Sequence, residues 1–255
     1  LPLHALLPAA VQEVPRFHGA TPLEWSVKLA DSEMARTGDQ YFFGGTNPRA
    51  RIDYTTAFFG TALVKLADRT GRQAYADYGL KFATSFVAAD GSIHTYKLED
   101  YNIDSIPPGK VLLLAWERGD RSPAMKKAID TLYGQMQKHP RTSDGGYWHK
   151  LRYPNQMWLD GLFMASPFLA HYGKAFAEPA AFDEVAKQIL LMDQHGYDAK
   201  TGLYYHAWDE TRSRPWANPQ TGQSPNFWGR AVGWYAMAIV DSLDFFPPTH
   251  PEVEH

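Results

Sequence analysis

Three short segments of similar character recur along the chain between pairs of predicted helices. Each combines a glycine turn, residues suited to a short strand and a histidine, and the histidines are His94, His149 and His206. Their separations of 55 and 57 residues are typical of a helical-hairpin repeat, in which each hairpin must stack on its neighbours to bury its apolar face. Hairpins closed into a ring predict an all-α fold, an α/α toroid, with the decorated loops and the functional site on one rim.

Helix signals support this repeat. Thr21 and Glu24 form a capping box that starts a helix ending at Gly38. Further helices are predicted at 54–67, 73–87, 110–118, from 123, at 157–172 with a kink or restart at Pro167, from 182 to 196, and at 226–245, about eight in all.

The length of the chain bears on how many hairpins it supplies. At about 56 residues per hairpin, 255 residues provide roughly four and a half units, whereas a six-hairpin ring requires on the order of 340. We therefore expect an N-terminal extension at residues 1–20 and a toroidal catalytic domain at 21–255 that lacks its C-terminal hairpins.

Composition excludes several classes of function. A formal net charge of -3 without a long basic run predicts no nucleic-acid partner and no binding to acidic membranes. The longest apolar stretch, Val111 to Trp116, is too short to span a bilayer. The chain has no cysteine, no nucleotide-binding, serine-hydrolase or zinc-protease motif, and no histidine pair at helical spacing beside an acid, so no metal or cofactor is predicted.

Two aspartates occupy corresponding positions in the repeat. Asp104 lies ten residues after His94 and Asp160 lies eleven residues after His149, each among apolar residues. Two carboxylates in one pocket push their pKa values apart, so that one stays protonated near neutral pH and the pair can perform acid/base chemistry on a sugar. The alternative is that both are helix N-caps.

Aromatic residues give a second indication of sugar binding. The chain has 8 Trp, 14 Tyr and 14 Phe, and many lie beside glycine and polar residues. Trp228 and Trp234 flank Arg230, which predicts an aromatic wall around a cation that binds a sugar carboxylate. The alternatives are a large aromatic core and an ordinary surface cation–π pair.

Four longer motifs carry a family resemblance. The segments His149-Lys150 with Tyr153-Pro154, residues 156–164 (QMWLDGLFM), residues 205–210 (YHAWDE) and residues 224–234 (SPNFWGRAVGW) resemble the unsaturated rhamnogalacturonyl hydrolases, glycoside hydrolase family 105. The likeness runs from Trp25 to Phe246. It implies an (α/α)6 barrel that continues beyond the end of this chain.

The resemblance also implies an activity. Such enzymes remove a 4,5-unsaturated uronic acid from the non-reducing end of lyase-generated oligosaccharides by hydrating its enol ether, without a cofactor. Asp160 would protonate C4 and then take a proton from the water that adds at C5, while Asp104 would hold the ring hydroxyls and tune Asp160. The positions that match substrate-contacting residues are His206, Trp158, Trp228, Arg230 and Trp234, with His149 and Lys150 adding positive charge and Tyr54 a further match. Near Tyr54 the chain departs from the family, because Ile52 stands where members often carry tryptophan.

Other functions remain as alternatives on the same fold. They are an ordinary glycosidase, a sugar epimerase, and a non-catalytic carbohydrate-binding protein. The neighbouring sugar is expected to be rhamnose or sulfated rhamnose. The first residue is not methionine, and together with the resemblance this favours a periplasmic or exported enzyme, with a cytoplasmic enzyme as the alternative. The sequence indicates no oligomeric state.

Overall fold

A computed structural model describes residues 14–38 and 52–254. The chain divides into two compact units, residues 1–40 and 41–255. In the first unit α1 (Pro22–Thr37) begins at the predicted capping box, where Glu24 N–H donates to Thr21 Oγ1 and the Glu24 carboxylate accepts from Thr21 N–H. The predicted domain boundary between residues 20 and 21 stays a prediction.

The described part of the second unit is built from helices and very short strands. The helices are α2 (Tyr54–Thr70), α3 (Gln73–Thr84), α4 (Pro108–Glu117), α5 (Pro123–Lys138), α6 (Leu159–Phe176), α7 (Ala180–Gly196) and α8 (Gly229–Leu243), and short 3-10 turns lie at Leu98–Asp100 and Ile103–Ser105. The strands are β1 (Gln156–Trp158), β2 (Tyr197–Asp198), β3 (Leu203–Tyr204) and β4 (Ala207–Asp209). The predicted all-α class is confirmed.

Successive helices pack in pairs, with α2 against α3, α4 against α5, and α6 against α7. The even-numbered helices also contact one another, α2 with α4, α4 with α6, and α6 with α8. Most residues of α4 and α6 are buried, because these helices are covered on several sides. The core therefore lies among the even-numbered helices, and the loops that connect the pairs are free to carry a site.

Three predicted helix limits are corrected. Met157 lies in β1, so α6 begins two residues later than predicted, and it runs through Pro167 as one helix. Helix α3 ends at Thr84 because Val87 pairs with Ile93 in a small hairpin. Helix α8 begins at Gly229, since Phe227 is held in extended conformation by a bridge to Tyr205. Within the described ranges, no helix has the length and apolar character needed to cross a bilayer.

Candidate active site

Backbone hydrogen bonds join the connecting loops of successive helix pairs. Asn102 forms a bridge with Lys150, and Ile103 N–H donates to the His149 carbonyl at 3.3 Å. Strand β1 pairs antiparallel with β4, and Leu159 N–H donates to the His206 carbonyl at 2.9 Å. Loops that are far apart in the sequence are thereby placed side by side, which brings the predicted site residues together.

The next loop is attached in the same way. Ser224 N–H donates to the Ala207 carbonyl at 2.8 Å, and the Tyr205–Phe227 bridge holds the segment that leads into α8. Trp228 and Arg230 follow directly, at the start of α8. One continuous set of paired loops therefore runs from Asp104 to Arg230.

The structure corrects the register of the repeat. The amides of His94, Trp148 and Tyr205 make the corresponding hairpin hydrogen bonds to Phe86, Pro140 and Gly196. The position of His149 and His206 therefore corresponds to Thr95 in the first repeat. Thr95 Oγ1 accepts from the amide of buried Ile52 at 3.1 Å, so at this position the first repeat fixes the chain before α2.

Asp104 lies in an ionic environment. Lys150 Nζ forms a salt bridge with Asp104 Oδ2, and His149 Nε2 lies 3.3 Å from Oδ1. Burial alone raises the pKa of Asp104, but the contacts with His149 and Lys150 outweigh it and lower this pKa to about 2. Asp104 is therefore a carboxylate at any pH at which the protein functions. Lys150 was predicted to add positive charge near the substrate. In the structure its ammonium group is paired with Asp104.

Asp160 has the opposite environment. It is the second residue of α6, and its Oδ2 is buried without a hydrogen-bond partner in the described structure. Burial raises the pKa of Asp160, the charge of Asp104 adds to this, and His149 and His206 oppose it. Of the two acids, Asp160 is the one suited to carry a proton.

The alternative reading of both aspartates as helix N-caps is wrong. The N-cap of α6 is Trp158, which makes no side-chain capping bond, and the cap of the 3-10 turn is Asn102, whose side chain accepts from Asp104 N–H. Neither carboxylate therefore caps a helix. This outcome favours the acid/base interpretation of the pair.

Tyr54 shares the electrostatic environment of the pair. Burial raises the pKa of the Tyr54 hydroxyl, the charges of Asp104 and Asp160 raise it further, and Arg230 lowers it. These four residues come from α2, a 3-10 turn, α6 and α8, so the even-numbered helices converge on one site. The match of Tyr54 to the family site is compatible with this position.

Two aromatic rings stack on the indole of Trp158. The His149 ring stacks on it at a centroid distance of 4.6 Å, and Tyr153 stacks at 5.2 Å. His206 approaches Trp158 edge-on, and its Nδ1 lies 3.2 Å from Ser224 Oγ. Trp158 is therefore held by three ring contacts and by its indole N–H, which donates to Gln156 Oε1 at 3.2 Å.

The predicted aromatic wall is divided into two parts. Arg230, which is exposed, stacks over Trp228 with its guanidinium carbon 3.9 Å from the ring centroid. Trp234 instead packs against Phe163 at 4.6 Å and Phe58 at 5.3 Å. Arg230 is thus positioned to bind an anion beside an aromatic face, while Trp234 belongs to a separate aromatic cluster that includes Tyr54 at 6.3 Å.

Sequence reasoning did not single out Tyr153, Phe58, Phe163 or Ser224. Tyr153, Phe163 and Ser224 stand in quoted motifs, and Phe58 lies one helical turn after Tyr54, so all four carried a usable signal. Their contacts with one another and with the site depend on the fold. Among residues 14–38 and 52–254, no three His, Asp or Glu side chains are grouped as metal ligands.

Paired helices with one acid of raised pKa, one acid of lowered pKa and surrounding aromatic rings define a class: α-helical hairpin proteins with a site typical of carbohydrate chemistry. Comparison with known sequences agrees. The profile of Glycosyl Hydrolase Family 88 matches residues 25–255, and the chain belongs to this family.

Individual relatives support the assignment. The chain is 28% identical over 159 residues to unsaturated rhamnogalacturonyl hydrolase YesR of Bacillus subtilis strain 168, which covers 60% of this chain and 44% of that protein. It is 43% identical over 84 residues to Protein Atu3128 of Agrobacterium fabrum, covering 33% and 36%. A solved glycoside hydrolase of family 105 from C. acetobutylicum ATCC 824 is 36% identical with a TM-score of 0.81, covering 90% of this chain and 61% of that one. The chain thus spans less than two thirds of the length of each.

Proposed function

We propose that this protein removes a 4,5-unsaturated uronic acid from the non-reducing end of oligosaccharides produced by polysaccharide lyases. The observation that carries the proposal is the contrast between the two aspartates. Asp160 has a buried, unpartnered carboxylate oxygen and a raised pKa, while Asp104 is held ionised by Lys150. Hydration of an enol ether requires an acid that protonates carbon and then serves as a base, and this pair supplies it.

The proposed reaction balances without a cofactor. Protonated Asp160 donates its proton to C4, and the positive charge that develops is shared between C5 and the ring oxygen. Water adds to C5 and returns a proton to the Asp160 carboxylate. The resulting hemiketal opens by cleavage of the bond between C5 and the ring oxygen, and the hemiacetal left at C1 releases the remaining sugar.

The surrounding residues suit the charge of the substrate. A uronate carries a carboxylate, and exposed Arg230, with its guanidinium over Trp228, is suited to bind it. Trp158 lies two residues before Asp160, and His206, whose Nδ1 lies beside Ser224 Oγ, contacts the Trp158 ring; both side chains are suited to contact the sugar. The carboxylate of Asp104 suits the ring hydroxyls, because an ionised acid accepts two hydrogen bonds readily.

The name of the Bacillus subtilis relative supports rhamnogalacturonan as the source of the substrate. We propose rhamnose as the neighbouring sugar, with sulfated rhamnose as the alternative. The two are separated by assaying both unsaturated disaccharides.

The test is an absorbance assay on lyase-generated unsaturated disaccharides. We expect the ultraviolet absorbance of the conjugated enol ether to fall with the purified protein and to stay constant with Asp160→Asn. Asp130→Asn is the matched control, since this aspartate lies on α5 and pairs with Lys126, outside the site. Its activity should equal that of the wild type.

Other results would identify the rival functions. Release of sugar from saturated substrates at a comparable rate would indicate an ordinary glycosidase, and isomerisation of a sugar without release would indicate an epimerase. Tryptophan quenching by the unsaturated disaccharide without turnover would indicate a binding protein. Each of these outcomes contradicts the proposal.

A further inference from the structure

A small cavity is lined by His149, which contacts Asp104, and by Gly161, which follows Asp160 in the chain. Its volume is about 10 Å³, and its walls include His149, Gly161, Ser166 and Gln188 together with apolar side chains. Ser166 and Gln188 are 1% and 2% exposed, so the polar part of the wall is buried. A space of this size is at the lower limit for one water molecule, which also requires two or more polar partners.

His149 supplies the reason to expect an occupant. The residue is 3% exposed, and its Nδ1 is buried with no hydrogen-bond partner in the described structure, while Nε2 faces Asp104. A buried ring nitrogen that lacks a hydrogen-bond partner costs free energy, whether or not it carries a proton. A partner for Nδ1 must come from the cavity side.

Gly161 keeps that side open. A methyl group at its Cα would lie 3.0 Å from His149 Nδ1, which is closer than such a group normally approaches. Glycine within a helix is otherwise unfavourable compared with alanine, so its presence in α6 directly after Asp160 requires another explanation. A side chain at position 161 would fill the space through which a hydrogen-bond partner reaches His149 Nδ1.

We propose that the cavity binds one structural water molecule that donates a hydrogen bond to His149 Nδ1 and bonds to the hydroxyl of Ser166. This bond selects the tautomer of His149. With Nδ1 as acceptor, the neutral ring carries its proton on Nε2 and donates it to Asp104. Gly161 and Ser166 are then positioning residues, which act on Asp104 through the water and His149.

The water and the tautomer do not depend on the proposed function, whereas their effect on catalysis does. If His149 donates a hydrogen bond to Asp104 as proposed, loss of the water removes one of the two donors to the Asp104 carboxylate. The difference in pKa between Asp104 and Asp160 then changes. The expected cost to kcat is about 10- to 100-fold, as for other supporting residues that orient a reacting group. KM should change less.

The first test is a nitrogen-15 NMR measurement of the histidine rings in the wild-type protein at neutral pH. We expect His149 Nδ1 to resonate as an unprotonated nitrogen and Nε2 as a protonated one, and a crystal structure should show one water within hydrogen-bond distance of Nδ1. A protonated Nδ1, or a cavity without solvent density, overturns the proposal whatever the enzymatic activity.

Two variants change the cavity in different ways, and the ring-nitrogen signals of His149 and kcat are measured for both. Gly161→Ala should expel the water and alter the ring-nitrogen signals of His149. Ser166→Ala removes a partner without crowding and should shift the same signals less. Gly134→Ala on α5 is the matched control, because a methyl group there meets nothing within 4 Å.

The control should leave the His149 signals and kcat unchanged. Wild-type ring signals in folded Gly161→Ala, or in Ser166→Ala if the first variant does not fold, would contradict the proposal. Altered signals with unchanged turnover would confirm the water and overturn its role in catalysis.

Discussion

The two aspartates of the site lie in consecutive repeats, Asp104 in the 3-10 turn before α4 and Asp160 in the first turn of α6, and their surroundings are opposite. Asp104 is paired with Lys150 and faces His149, and its pKa falls to about 2. Asp160 has a buried oxygen without a partner, and burial raises its pKa. The same residue type thus has a lowered pKa in one half of the site and a raised pKa in the other, because one half is ionic and the other is desolvated.

Removing the proton carrier should have the largest effect. We expect Asp160→Asn to lower kcat by roughly 10³-fold or more, since an amide cannot donate a proton to carbon. The measurement is the initial rate on unsaturated disaccharide, with circular dichroism to verify folding. A folded Asp160→Asn protein with a rate near that of the wild type would assign the proton transfer to another residue.

Removing the ionised partner should have the next largest effect. Asp104→Asn leaves the half-buried Lys150 ammonium unpaired, so we expect a loss of about 3 kcal/mol in the free energy of unfolding. Activity should fall by roughly 10²-fold through misplacement of the substrate. Denaturant unfolding and steady-state kinetics measure both, and Asp130→Asn serves as the surface control.

In the double variant Asp104→Asn/Lys150→Met no unpaired charge is left, so stability should recover while activity stays low. Recovery of both would show that Asp104 only neutralises the lysine. Recovery of neither would mean that the loss does not come from the unpaired ammonium.

The dependence of kcat on pH should report the raised pKa of Asp160. Because the protonated acid is the active form, kcat should fall about tenfold per pH unit once the pH exceeds this pKa. The negative charge of Asp104 raises the pKa of Asp160, so Asp104→Asn should move this alkaline limb to lower pH. A limb that moves to higher pH, or does not move, would show that the two carboxylates are not coupled in the functioning protein.

The smallest effect is expected at Tyr153, which stacks on Trp158. Tyr153→Ala should remove this stacking and lower kcat/KM several-fold, on the order of 1 kcal/mol for a lost aromatic pair. Tyr153→Phe keeps the ring and should retain wild-type kinetics. If phenylalanine is as damaging as alanine, the hydroxyl and not the stacking is responsible.

Much of this arrangement is visible in the sequence. The repeat predicts paired helices, and local capping signals give the start of α1 and α5 correctly. These features are local, because caps and apolar periodicity depend on residues within a few positions of one another.

Contacts between repeats were beyond prediction. The spacing of histidines aligned His94 with His149, whereas hairpin hydrogen bonds align His149 with Thr95. Lys150 was expected to add positive charge near the substrate, and only the structure shows that it pairs with Asp104 in another loop. Trp158 was expected to contact the sugar, and only the structure shows that it stacks with His149 and Tyr153. Each of these depends on tertiary packing that no local pattern encodes.

The most direct test of the divided roles is a carbon-13 NMR titration of the two side-chain carboxyls, assigned with the Asp104→Asn and Asp160→Asn variants. We predict that Asp160 titrates above the ordinary aspartate value of about 3.9 and Asp104 well below it. Equal titration of the two groups, or the reverse order, would contradict the assignment of Asp160 as the acid and Asp104 as the permanent carboxylate.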